Sequence, residues 1–170
     1  MKPFKRRIYH GLGELLTDVR IIMSRRQEIR TLMQGTIIAP AFRERLMLVV
    51  TAVNRCRYCS YAHAREALSN GIPEEEIGAL SQGMFTGSPP DEVPAMLYAQ
   101  HWAESNGEPE PTARQQVVAQ YGEQAVEMME LAFRMIRAGN LSGNTFDYLL
   151  YRISLGRWGA KNWSGQAQDG

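Results

Sequence analysis

Residues 46–80 read LMLVVTAVNRCRYCSYAHAREALSNGIPEEEIGAL. Their reading decides the fold. The apolar run from Leu46 to Val53 has the composition of a buried strand. No strand-like partner with a turn lies nearby, and Pro40 upstream suits the first turn of a helix. The run is therefore predicted as a helix carrying Leu46, Val49, Val50 and Val53. Asn54 is a candidate N-cap for a second helix, which runs through Cys56 and Cys59 to about Leu68. Asn70-Gly71 is a helix stop. Ile72-Pro73 followed by Glu74, Glu75 and Glu76 is a helix start, with carboxylates at the positive dipole end.

The same period extends outward in both directions. Leu15, Leu16, Val19, Ile22 and Met23 recur at helical spacing, and Ile29, Leu32 and Met33 continue them. Asp91 to about Glu104 is predicted as helix with Pro94 in its first turn. Thr112 is expected to cap a short helix ending near Gly122. Glu123 to Arg137 is expected to form a helix, residues 139–144 (GNLSGN) a turn, and a last helix to carry Phe146, Leu149, Leu150 and Ile153. The tail after Gly156 holds Trp158 and Trp163, suited either to motion or to packing on a neighbour. With no repeat or linker in view, the expectation is one all-α domain over residues 1–170, a helical bundle of seven or eight helices.

Bulk properties narrow the function classes. The chain has 170 residues, 19 basic and 18 acidic, for a net charge of +1. That balance gives no whole-protein argument for nucleic acid or an anionic membrane as partner. Gly11, Gly13, Glu14 and Asp18 interrupt any apolar core of a signal peptide, and no window approaches a membrane span. A cytoplasmic protein is the default. The basic N-terminal residues, including Lys2, Lys5, Arg6, Arg7, Arg20 and Arg25, read first as a solvated helix face.

The two cysteines stand three apart. On a helix, Cys56 and Cys59 share a face, and His63 lies four residues further along the same stripe. A thiol is a nucleophile only as the thiolate. A helix N-terminus, Arg55, Arg57 and His63 could each favour that form. Three readings stay open: a dithiol that cycles with a disulfide, a zinc site of Cys56, Cys59 and His63, and two cysteines that fill the core. Zinc sites normally show four ligands, and no second cysteine pair exists here.

Glu44, Cys56, Cys59 and His63 form the pattern E-x(11)-C-x-x-C-x-x-x-H. With the following AREALSNGIPEEEIGAL, it resembles the AhpD-like, carboxymuconolactone decarboxylase family over about residues 36–152. Residues 1–35 then form a helical N-terminal extension. The resemblance implies an all-α, usually oligomeric protein with a helical hairpin around the CxxC motif. It implies a thiol-dependent peroxidase in which Cys59 attacks a small hydroperoxide, Cys56 resolves the sulfenic acid, and Glu44 with His63 relays the proton. A dithiol reductant protein would restore the pair, with no cofactor and no metal required. AhpD carries histidine just before the second cysteine, where Tyr58 stands here. Tyr58 and Tyr61 are candidates to line the pocket or a subunit interface. A decarboxylase-like lyase and a redox-sensing, non-enzymatic oligomer are the alternatives. Asn140 and Asn144 read first as helix caps, and His101 and Trp102 as half-buried packing.

Overall fold

The computed structural model describes residues 4–159. Trp163 therefore lies outside the described residues. The chain is all-α, with eight helices and no strand among those residues. They are α1 (Leu12–Ser24), α2 (Arg26–Gln34), α3 (Pro40–Asn54), α4 (Arg57–Ser69), α5 (Glu74–Ser81), α6 (Val93–Glu104), α7 (Pro111–Tyr121) and α8 (Glu123–Ile153).

Helix α3 is the axis of the bundle. Pro40 occupies its first turn, where a missing N–H costs nothing. Every residue from Arg43 to Thr51 is buried. This is why the run lacks an amphipathic pattern: a helix covered on all sides has no solvent face to mark. It packs against α4, α5, α6 and α8. Leu46, Val50, Leu80, Met96, Val126 and Phe133 close the core around it.

The turn between α3 and α4 sets the site. Asn54 is the last residue of α3 and not the cap of α4 as expected. Arg55 ends α3 in the left-handed region, at φ 60° and ψ 41°, and its N–H bonds to Thr51 O at 2.7 Å. That conformation is uncommon for a side chain with a Cβ. It reverses the chain within one residue, so that Cys56, in extended geometry, becomes the N-cap. Further on, Gly71 takes positive φ and stops α4 as predicted, while Pro73 is the N-cap of α5 rather than part of its first turn. Glu110, not Thr112, stands at the cap of α7, with Pro111 first inside.

The expected turn at residues 139–144 is absent. Helix α8 runs unbroken for 31 residues through both glycines and both asparagines. Glycine in a helix interior costs about 1 kcal/mol each against alanine. Here packing outweighs that local preference, because Asn140, Gly143 and Asn144 face inward, while Gly139 stands on the exposed side. Asn140 and Asn144 are fully buried, so neither is a helix cap.

The N-terminal segment departs from the expected solvated helix face. Residues 4–11 precede α1 and lie against α8. Tyr9 N–H donates to Thr145 Oγ1 at 3.0 Å, and Tyr9 Oη donates to Asp18 at 2.8 Å. The Phe4 ring meets Tyr148 edge-on at 5.3 Å. Arg6 is buried, at 6% exposure. No helix among the described residues is long and apolar enough to cross a membrane.

Candidate functional site

The α3–α4 hairpin brings its chemistry together from both arms. Glu44 on α3 and His63 on α4 meet across it, with His63 Nδ1 2.7 Å from Glu44 Oε2. Glu44 is 2% exposed, and Arg43 grips its other oxygen through Nε and Nη2 at 3.2 Å each. A buried carboxylate needs such partners to stay ionised. Arg43 also donates to Leu32 O at 3.3 Å, which ties the pair to α2. With Nδ1 committed to Glu44, the tautomer and plane of the imidazole are set, and Nε2 is the nitrogen left for chemistry. His63 makes no direct hydrogen bond to either thiol among the described residues.

The thiols lie at the start of α4. Cys56 Sγ and Cys59 Sγ are 2.6 Å apart, and both cysteines are free. Cys56 is wholly buried, while Cys59 is partly open to solvent. Cys56 Sγ also accepts the N–H of Cys59 at 3.4 Å, the cap bond of the helix. The thiol–thiol hydrogen bond is the first cause that lowers the Cys56 pKa, to about 7. Burial opposes it; the cap bonds and the nearby Arg6 charge assist. The same hydrogen bond, with burial and the charge on Cys56, raises the Cys59 pKa far above its ordinary value. Physically, one proton is shared by two sulfurs: the first leaves near neutrality and the second is held hard.

Helix α8 forms the wall behind the thiols. A Cβ at Gly143 would lie 3.2 Å from Cys56 Sγ and 3.4 Å from the Tyr58 ring, so glycine is what lets the helix approach the sulfur. Asn140 Nδ2 donates to Thr51 Oγ1, and its Oδ1 accepts from Asn54 Nδ2, both at 3.2 Å. Asn144 Nδ2 bonds at 2.8 Å to the carbonyls of both Asn54 and Arg7. It thereby joins the end of α3 to the N-terminal segment. One turn further, the fully buried Asp147 accepts from Arg6 at 2.5 Å on one oxygen. On the other it accepts from Arg57 and from Tyr58 Oη, each at 2.8 Å.

Of the residues singled out in the sequence, Tyr58 is thus anchored to Asp147, and Tyr61 lies on the surface at 62% exposure. His101 contacts Glu110 away from the thiols, and Trp102 is core, stacked near Phe133. Among the described residues no three His, Cys, Asp or Glu side chains form a group able to hold a metal ion. Sequence reasoning missed Arg6, Gly143 and Asp147. The signal was present: Asn140, Gly143, Asn144 and Asp147 are spaced i, i+3, i+4, i+7, which is a single polar stripe once the helix is read straight through.

Residues 26–105 match the model of the Carboxymuconolactone decarboxylase family. The segment runs from α2 to α6 and holds Glu44, Cys56, Cys59 and His63. The wall residues on α8 and Arg6 lie outside it. No curated protein matches the chain, and no solved structure matches it.

Proposed function

We propose that the protein is a thiol-dependent peroxidase of the alkylhydroperoxidase type. The observation that carries this reading is the adjacency of a readily ionised dithiol to a carboxylate–imidazole pair on one helical hairpin. Cys59, the sulfur that solvent can reach, is the attacker. One proton of the pair passes to His63, through water or the substrate itself, Glu44 stabilises the imidazolium that forms, and the shared proton that remains shifts onto Cys56 and leaves Cys59 as the thiolate. The Cys59 thiolate attacks the terminal oxygen of a hydroperoxide ROOH. The O–O bond breaks, Cys59 becomes a sulfenic acid, and RO⁻ takes a proton from His63 to leave as ROH. The Cys56 thiolate then attacks the Cys59 sulfur. The Cys56–Cys59 disulfide forms, and the departing hydroxide takes the proton that Cys56 gave up and leaves as water. The net change is two thiols and ROOH giving a disulfide, ROH and water.

The low Cys56 pKa suits a resolving sulfur, which must be ionised at the moment the sulfenic acid appears. A dithiol reductant then returns the pair by exchange. Assembly with a second copy is part of the proposal. Leu12, Leu16, Val19 and Met23 form an exposed apolar stripe on α1, and Phe146, Leu149 and Ile153 form another on α8. The test is stopped-flow mixing of the reduced protein with a hydroperoxide, followed by mass spectrometry. Cys59→Ser must abolish consumption, and Cys56→Ser must trap a sulfenic acid on Cys59. Unchanged turnover in Cys59→Ser overturns the reading.

A further inference from the structure

A cleft of about 690 Å³ opens beside the turn that carries the dithiol, and its lining is predominantly cationic. Lys5, Arg7, Arg55 and Arg57 line it, against one carboxylate, Glu104. Glu104 already accepts Gln100 Nε2 at 2.9 Å. Arg7 gives its guanidinium to the carbonyls of Ala103 and Glu104 and to Asn106 Oδ1, none of which cancels its charge. Among the described residues, neither the Lys5 ammonium nor the Arg55 guanidinium has a side-chain partner. Arg57 is tied to Asp147 through Nη2, yet its Nε–H is buried without an acceptor from the protein. Two cations without side-chain partners on the lining of one cleft make a place for an anion.

The lining is not polar throughout. Val49, Ala52 and Val53 of α3 supply an apolar wall. Ser60, the residue after Cys59, stands at the border with the dithiol. We infer that this cleft binds a small organic anion, with a carboxylate or phosphate head on a short apolar body. The head meets Arg55 and Lys5, and the body lies on Ala52 and Val53. The inference goes beyond the peroxidase reading and does not depend on it. If both hold, hydroperoxides that carry such a head are the favoured substrates.

Calorimetry on the reduced full-length protein tests it without turnover, so its failure and the failure of the peroxidase reading are separate results. The probes are hexanoate, hexyl phosphate and 1-hexanol at low ionic strength. At least one anion should bind at a single site about tenfold or more tighter than hexanol, the scale of one charge-assisted hydrogen bond. The tighter anion identifies the head group. Arg55→Gln and Lys5→Gln should each weaken binding about fivefold or more, and Arg55→Lys should restore most of it. Both side chains are exposed, so melting by circular dichroism should show the variants folded. Hexanol binding as tightly as the anions overturns the inference. So does unchanged affinity in Arg55→Gln and Lys5→Gln, or an equal loss in Arg20→Gln, a cation on α1 outside the cleft.

Discussion

Replacing Cys59 by alanine isolates what makes Cys56 acidic. The Cys56 thiol titrates at about 7 against an ordinary 9.0, and the first cause is the hydrogen bond from Cys59. At pH 7 about half of Cys56 is thiolate. Without Cys59 Sγ, the largest remaining influence is burial, which disfavours the anion. The cap N–H and Arg6 remain but are weaker. The midpoint should therefore climb to 9 or above. That corresponds to about 2.7 kcal/mol, from about 1.36 kcal/mol per tenfold change in ionisation. The thiolate fraction at pH 7 falls to about 1%. Thiolate absorbance near 240 nm reports this directly and needs no access to a buried sulfur. The reduced wild-type protein should show one thiol ionising around pH 7 and the second staying protonated well into the alkaline range. Cys59→Ala should show a single step at 9 or above. A variant that still titrates near 7 would refute the shared-proton account and assign the acidity to the helix terminus and Arg6.

Four further outcomes follow from the packing. Glu44→Ala leaves buried Arg43 without its carboxylate and should destabilise the fold by about 3 kcal/mol, measured by urea denaturation. His63→Asn keeps the size of the ring but loses the base, and should slow peroxide consumption at pH 7 by about a hundredfold, read by stopped flow. Asp147→Ala strands Arg6 and Arg57, and should cost about 3 kcal/mol and release residues 4–10, seen as faster tryptic cleavage after Lys5 and Arg7. In Gly143→Ala, the methyl presses on Cys56 Sγ at 3.2 Å; disulfide formation should slow even though alanine favours the helix, as followed by mass spectrometry.

The hairpin was legible because two local signals agreed. Pro40 and Gly71 marked outer limits, and the family resemblance carried by the E-x(11)-C-x-x-C-x-x-x-H pattern, not the residues alone, paired Glu44 with His63. Cap identity was less legible. Arg55 takes a left-handed conformation that its residue type does not announce, so the cap moved from Asn54 to Cys56 and put a thiol sulfur on the helix N-terminus. The misreading of α8 has the same root. Glycine and asparagine signal a break when judged locally, and only distant partners, Thr51 and Asn54 for the asparagines and Cys56 for Gly143, make an inward face of them. The buried Arg6 was beyond reach for a related reason: its partner, Asp147, is 141 residues away in sequence.

That Asn140, Gly143, Asn144 and Asp147 share one uninterrupted helix makes the site sensitive to phase. Inserting a single residue between Glu123 and Gly139 would rotate all four by about 100° and advance them about 1.5 Å relative to α3. The thiol would lose its glycine clearance, the end of α3 its amide clamp, and Arg6 its counter-ion in one event. The same insertion in residues 105–110 would be absorbed by a loop. Length variation along this chain is therefore permitted or forbidden by angle: α8 works like the toothed shaft of a lock, where one tooth added near the handle misaligns every tooth beyond it.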